Sequence, residues 1–259
     1  MDLIPTDWLV SWLMVFLRAS GMLAVFPLFA SPTVPRQLRV ALGAGMAVLL
    51  APMLPTAGEM PSTIWGLAGL MGGEVGVGLL LGFLCRLVFF AVDIAGGLIG
   101  MQIGLMLPSG MNPNTGEQSS APSAVLYYLA IVLWLGMDLH HWVLAAFQRT
   151  YELLPVGRAR LSVGAVELVV GQSVHLFGVA LLITAPVLAV TFIISLVFAV
   201  LGRAVPQMNV FAESFALRIL AGLSVMGLTC QLMAQHIVNY LNQLPGDMLV
   251  LARLLAPPP

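Results

Sequence analysis

From Ile64 to Leu107 the chain runs through almost unbroken apolar sequence, and its only charged residues there are Glu74, Arg86 and Asp93. At about 1.5 Å per residue, one helix over this stretch would far exceed the roughly 30 Å of a bilayer's hydrocarbon layer. A soluble domain has no place for an apolar element of this length without a polar face. The stretch therefore points to a membrane protein. Its length predicts two helices or one bent hairpin, with the break at Asp93–Gly97.

Composition supports the same solvent. The chain is 60% hydrophobic and 8% charged, against roughly 25% charged residues in an ordinary soluble domain. A folded soluble domain must still offer polar surface to water, and lipid removes that requirement. Lysine is absent, all ten basic residues are arginine, and the net charge is -1. Nucleic acid is thereby excluded as a partner, because its binders carry a basic patch. Cys85 and Cys230 lie within apolar runs and read as small hydrophobes, not as a disulfide.

Other segments follow the same pattern. Trp8–Phe29 is long enough to span and carries Arg18 as its single charge. Val40–Leu54 is apolar but short, Val125–Met137 runs into Asp138, His140, His141 and Trp142, and Val166–Leu201 is over-long and contains Pro186. The last helix is expected over Phe215–Leu244. Together these give an all-α polytopic membrane protein of about six kinked hydrophobic helices. Glycines at 78 and 82, and at 96, 100 and 104, have the small-xxx-small spacing that lets helix backbones approach closely.

The charges within or beside apolar runs are Glu74, Arg86, Asp93, Glu167, Arg203 and Arg218. An unpaired one at a helix centre costs at least roughly 2.5–3.5 kcal/mol. They read as ion pairs, formed within this chain or with a partner chain, or as groups facing water; a proton or ion relay is the other reading. Glu74 and Arg86 are twelve positions apart, roughly 18 Å along a helix, so they cannot pair within one straight helix. His140-His141 is a poor metal half-site, because ligands on one helix face want i, i+3 or i, i+4 spacing. Adjacent histidines are expected to point to different faces, so the pair reads as structural, with no metal and no cofactor. The polar segment Pro108–Pro122, PSGMNPNTGEQSSAP, either lies outside the bilayer or lines a water-filled cavity.

Three stretches carry a resemblance over essentially the whole chain. The first is Met111-Asn112-Pro113-Asn114-Thr115-Gly116-Glu117-Gln118-Ser119. The second is His140-His141-Trp142 with Ala145, Phe147 and Leu154-Pro155. The third is Arg203-x-x-Pro206-Gln207-x-Asn209-Val210-Phe211, followed by Phe215-x-Leu217-Arg218-Ile219. In order and spacing they resemble the FliR family of the flagellar type III export gate, which is homologous to the T subunits of injectisomes. One departure is Ser214-Phe215-Ala216-Leu217-Arg218-Ile219, where the family usually reads Gly-Phe-Pro-Leu-Lys-Ile.

The resemblance implies hairpin units in two parts, a FliP-like part over about 1–165 followed by a FliQ-like part over about 166–259. It implies a single membrane subunit of the bacterial inner membrane, assembled with FliP and FliQ and next to FlhB and FlhA, with part of the gate above the bilayer on the periplasmic side. It further implies that the loop Ser109, Gly110, Met111, Asn112, Pro113, Asn114, Thr115, Gly116, Glu117, Gln118 and Ser119 plugs a pore for unfolded export substrates. No covalent chemistry is expected in the subunit. A proton-coupled secondary transporter using Glu74, Asp93, Asp138 or Glu167 is the alternative, although no internal repeat of the kind such transporters carry is visible. A membrane enzyme would lack an assembled nucleophile.

Overall fold

The computed structural model describes residues 6–31, 34–53, 63–105, 120–205, 207 and 209–257. Among these the secondary structure is helical, with no strand. The elements are α1 (Thr6–Val25), α2 (Pro27–Ala30), α3 (Arg36–Leu50) with a 3-10 turn at Ala51–Met53, α4 (Ile64–Ile103), α5 (Ala121–Gly136), α6 (Leu139–Leu153), α7 (Val163–Ala204), α8 (Val210–Leu228), α9 (Cys230–Leu241) and α10 (Leu244–Leu255). The chain divides into two compact units that interleave in sequence. One comprises residues 1–87, 138–173 and 242–259, and the other 88–137 and 174–241. Two of the four boundaries fall inside α4 and α7, and the other two lie between α5 and α6 and between α9 and α10.

Among the described residues three helices are long and apolar enough to cross a membrane: Trp8–Val25 within α1, then α4 and α7. Two further pairs, α5 with α6 and α8 with the helices after it, pass the same test if each bent pair is one span. The protein is an all-α polytopic membrane protein.

The break expected at Asp93–Gly97 is absent, and α4 is one helix of 40 residues. No proline lies within it to remove a backbone hydrogen bond. Gly78, Gly82, Gly96 and Gly100 are where neighbouring chain packs, so they act as contact points and not as hinges. The helix α7, with 42 residues, also runs on through Pro186. Each is about 60 Å long, twice a bilayer's hydrocarbon thickness.

The single last helix expected over Phe215–Leu244 is instead divided. The Thr229 hydroxyl bonds back to the Val225 carbonyl at 2.7 Å, a contact that bends helices, and α8 ends at Leu228. A second break follows Leu241. It lets Pro245 stand in the first turn of α10, where a missing N–H costs nothing.

In the first unit α1 packs against α3, and α10 lies against α6. The stretch after α6 is tied to the end of α10: the Arg160 N–H donates to the Leu255 carbonyl at 2.9 Å, and the Ser162 hydroxyl to the Leu254 carbonyl at 2.6 Å. In the second unit α5 packs against α9, and Thr184 of α7 donates to the Ala180 carbonyl and, at 3.5 Å, to the Ala95 carbonyl of α4.

Candidate functional site

The most highly connected polar cluster among the described residues is in the first unit, around Arg18. Arginine 18 sits in the apolar α1 and is fully buried, as is Glu74 of α4. The two side chains meet fork to fork: Nε donates to Glu74 Oε2 at 2.7 Å and Nη2 to Oε1 at 3.2 Å. The remaining donors turn to the end of α6. Nη1 reaches Thr150 Oγ1 at 3.4 Å and the Leu154 carbonyl at 3.2 Å, and Nη2 also reaches that carbonyl at 3.2 Å. The guanidinium lies 4.0 Å from the centre of the Tyr151 ring, a cation–π contact. Glu74 Oε1 accepts a third bond from the Gly157 N–H at 2.8 Å.

Glycine positions α1 and α4 for this contact. A Cβ at Gly21 would stand 2.7 Å from the Val75 carbonyl oxygen, and one at Gly82 would stand 2.5 Å from that of Met22. A Cβ at Gly78 would collide with the Arg18 carbonyl itself. Only bare backbone lets the two helices come this close, so the Gly78–Gly82 spacing is a helix seam, as expected. Gly157 has a left-handed φ of +75° and packs on Leu70. It turns the chain so that its own N–H faces Glu74, a conformation that glycine adopts without penalty.

A second seam lies in the other unit. The hydroxyl of Ser120 donates to the Gly96 carbonyl at 3.0 Å, and that of Ser123 to the Asp93 carbonyl at 3.0 Å. Side chains at Gly96 and Gly100 would collide with Ser123 and Ser120 respectively. α4 then closes in a Schellman motif: the Leu105 N–H bonds the Gly100 carbonyl at 2.8 Å and the Gly104 N–H bonds that of Met101 at 3.3 Å. Gly104 takes φ +80° at the C′ position. Ser120 caps α5 by accepting from the Ser123 N–H at 3.3 Å. The residues flanking 106–119 are thus stitched together through Gly96, Gly100 and Ser120.

The expected site residues divide clearly. Glu74 forms a complete ion pair within the chain. Arg86 and Asp93 are half-buried on α4, and Glu167 and Arg203 are exposed on α7. Arg218 of α8 is half-buried, with its Nε buried and without a hydrogen-bond partner among the described residues. The loop Ser109–Ser119 lies outside the described residues. Sequence reasoning missed Arg18, Thr150, Tyr151 and Gly157; the one available signal was that Arg18 is the sole charge of its span and so demands a partner. The two histidines do not diverge as expected, since their ring centres are 4.0 Å apart. Among the described residues the cysteines are free, Cys85 buried and Cys230 exposed.

Long apolar helices, glycine seams and a buried arginine–carboxylate clamp define a polytopic helical membrane protein whose polar groups fasten its helices together. Comparison with known families makes this specific. Residues 9–244 match the bacterial export proteins, family 1, and the chain belongs to that family. It is 31% identical over 217 residues to the flagellar biosynthetic protein FliR of Caulobacter vibrioides, covering 83% of this chain and 86% of that one. It is 26% identical over 250 residues to FliR of Escherichia coli, covering 94% and 95%, and 29% identical over 218 residues to FliR of Bacillus subtilis, covering 82% and 83%.

Proposed function

We propose that this protein is a core subunit of the flagellar type III protein export gate, forming with FliP and FliQ the closed pore through which unfolded flagellar substrates pass. The observation that carries this reading is near end-to-end similarity to proteins named FliR, at 94% of this chain and 95% of the Escherichia coli protein. The subunit sits in the bacterial inner membrane at the flagellar basal body, next to FlhB and FlhA. Part of the assembly stands on the periplasmic side, and the FliP-like part over about 1–165 precedes the FliQ-like part over about 166–259.

Physical features are consistent with this role. Helices about 60 Å long cannot both be covered by one bilayer. The apolar side chains exposed along α7, such as Val170, Val174, Phe177 and Phe192, then call for sibling subunits as well as lipid. The loop Ser109–Ser119, with Asn112, Pro113, Gly116, Glu117 and Gln118 matching the family pattern, is the plug, and its flanks are sewn together by the Gly96–Ser120 seam. Gating in this subunit is mechanical and uses no covalent chemistry. The transporter reading gains nothing from Glu74, whose carboxylate is held by two arginine donors and one backbone N–H.

Purification of the tagged chain from membranes tests the proposal. Co-purification of FliP and FliQ in a stable complex is the expected result. A stable monomer that moves a small solute alone would refute it.

A further inference from the structure

We propose that Asp138, His140 and His141 form a surface binding site for a divalent transition-metal cation, with zinc the best fit. Three ligands of types suited to zinc converge at the start of α6. His141 Nδ1 lies 3.5 Å and His140 Nε2 3.9 Å from Asp138 Oδ1. All three candidate ligand atoms lie within 4.8 Å of one another. Zinc–ligand bonds of about 2.0–2.1 Å in a tetrahedron put neighbouring ligand atoms about 3.3 Å apart. The cluster is therefore within small side-chain adjustments of a three-ligand set whose fourth position is open to water.

The local backbone explains why adjacent histidines converge here. Side chains of the first helical turn lean toward the N-terminus, and the residue they lean toward is Asp138. It occupies the N-cap of α6 at φ 55°, yet its carboxylate makes no capping hydrogen bond. The carboxylate is thus available to an ion. Its full negative charge outweighs the half positive charge at the helix N-terminus, which alone would oppose a cation. Two imidazoles and one carboxylate suit zinc, cobalt or nickel; calcium and magnesium prefer all-oxygen sets. The side chains of Asp138 and His141 are 71% and 69% exposed, so nothing among the described residues of this chain closes off an ion's approach. A bound ion would hold Asp138 in its left-handed conformation at the start of α6.

The test uses the full chain purified in detergent with any subunits that accompany it, stripped with EDTA and titrated with zinc chloride by calorimetry. Cobalt chloride serves as a visible-absorption probe. Saturable binding of one zinc per chain is expected, together with a rise in melting temperature. Asp138→Asn and His141→Asn should each weaken binding at least about tenfold and abolish that rise. His236→Asn, on α9, should change neither, and circular dichroism checks that every variant keeps its helix content. Absence of saturable zinc binding overturns the proposal, as does binding that Asp138→Asn and His141→Asn leave unchanged or that His236→Asn weakens as much.

Discussion

Arg18 and Glu74, 56 positions apart, close a two-pronged hydrogen bond of 2.7 and 3.2 Å in which both side chains are fully buried. The pair satisfies itself and also gathers chain. Through Thr150, the Leu154 carbonyl, the Tyr151 ring and the Gly157 N–H, it joins α1, α4, the end of α6 and the turn after it. The removal of either partner should therefore be far more damaging than its share of apolar surface suggests.

Arg18→Ala or Glu74→Ala should destabilise the first unit by about 3–5 kcal/mol, because each leaves an uncompensated buried charge. Replacing both, as Arg18→Met with Glu74→Leu, removes both charges and should recover much of that loss, since apolar substitutes for a buried pair are often neutral. Resistance to proteolysis and denaturant in detergent, measured over the full double-mutant cycle, reads this directly. Equal damage from the single and paired replacements would show that the ion pair does more than satisfy charge.

Glycine substitutions should separate by position. Gly78→Ala forces a Cβ into the Arg18 carbonyl and should part α1 from α4, as should Gly21→Ala against Val75. Gly72 and Gly76 lie on the same helix with nothing within 4 Å of an added Cβ. Alanine there should leave folding intact or stabilise by up to about 1 kcal/mol, because alanine is the better helix former. Thermal melting of the four variants in the same detergent checks the contrast.

Much of the fold was legible because its signals are local. Glycine spacing on α4 announced the seams, and the length of the apolar runs announced the spans. Three features were hidden. The partner of Arg18 is supplied by another helix, and no periodicity links positions 18 and 74. The expected break at Asp93–Gly97 assumed that glycines loosen a helix; Ser120 and Ser123 instead pack onto that surface, and the helix continues unbroken. The histidine pair was read from ideal helical phase, which fails in a first turn that leans back toward Asp138.

Ser120 serves two roles, capping α5 and bonding the Gly96 carbonyl. Ser120→Ala should lose about 1 kcal/mol through the cap alone, and more through the lost hydroxyl bond to the Gly96 carbonyl. Ser120→Thr keeps a hydroxyl, but its extra methyl crowds Gly100, whose own added Cβ would already collide with Ser120. Both should loosen the seam, which faster hydrogen exchange at Gly104 and Leu105 would report. Unchanged exchange in both variants would mean that the Schellman closure of α4 stands without Ser120.

The plug assignment leads to a test with an electrical readout. Deleting Ser109–Ser119 removes sequence between two anchors that the Gly96–Ser120 and Gly100–Ser120 contacts already hold side by side, so the flanking helices should still pack. A short Gly-Ser replacement bridges that gap with little strain, because shortening a loop changes its closure entropy only slowly. The assembled complex should then form normally and leak small ions, raising membrane conductance in vesicles and slowing growth in high salt. An intact complex whose ion permeability matches the unaltered one would remove the loop from the pore and leave the glycine seam as a packing device alone.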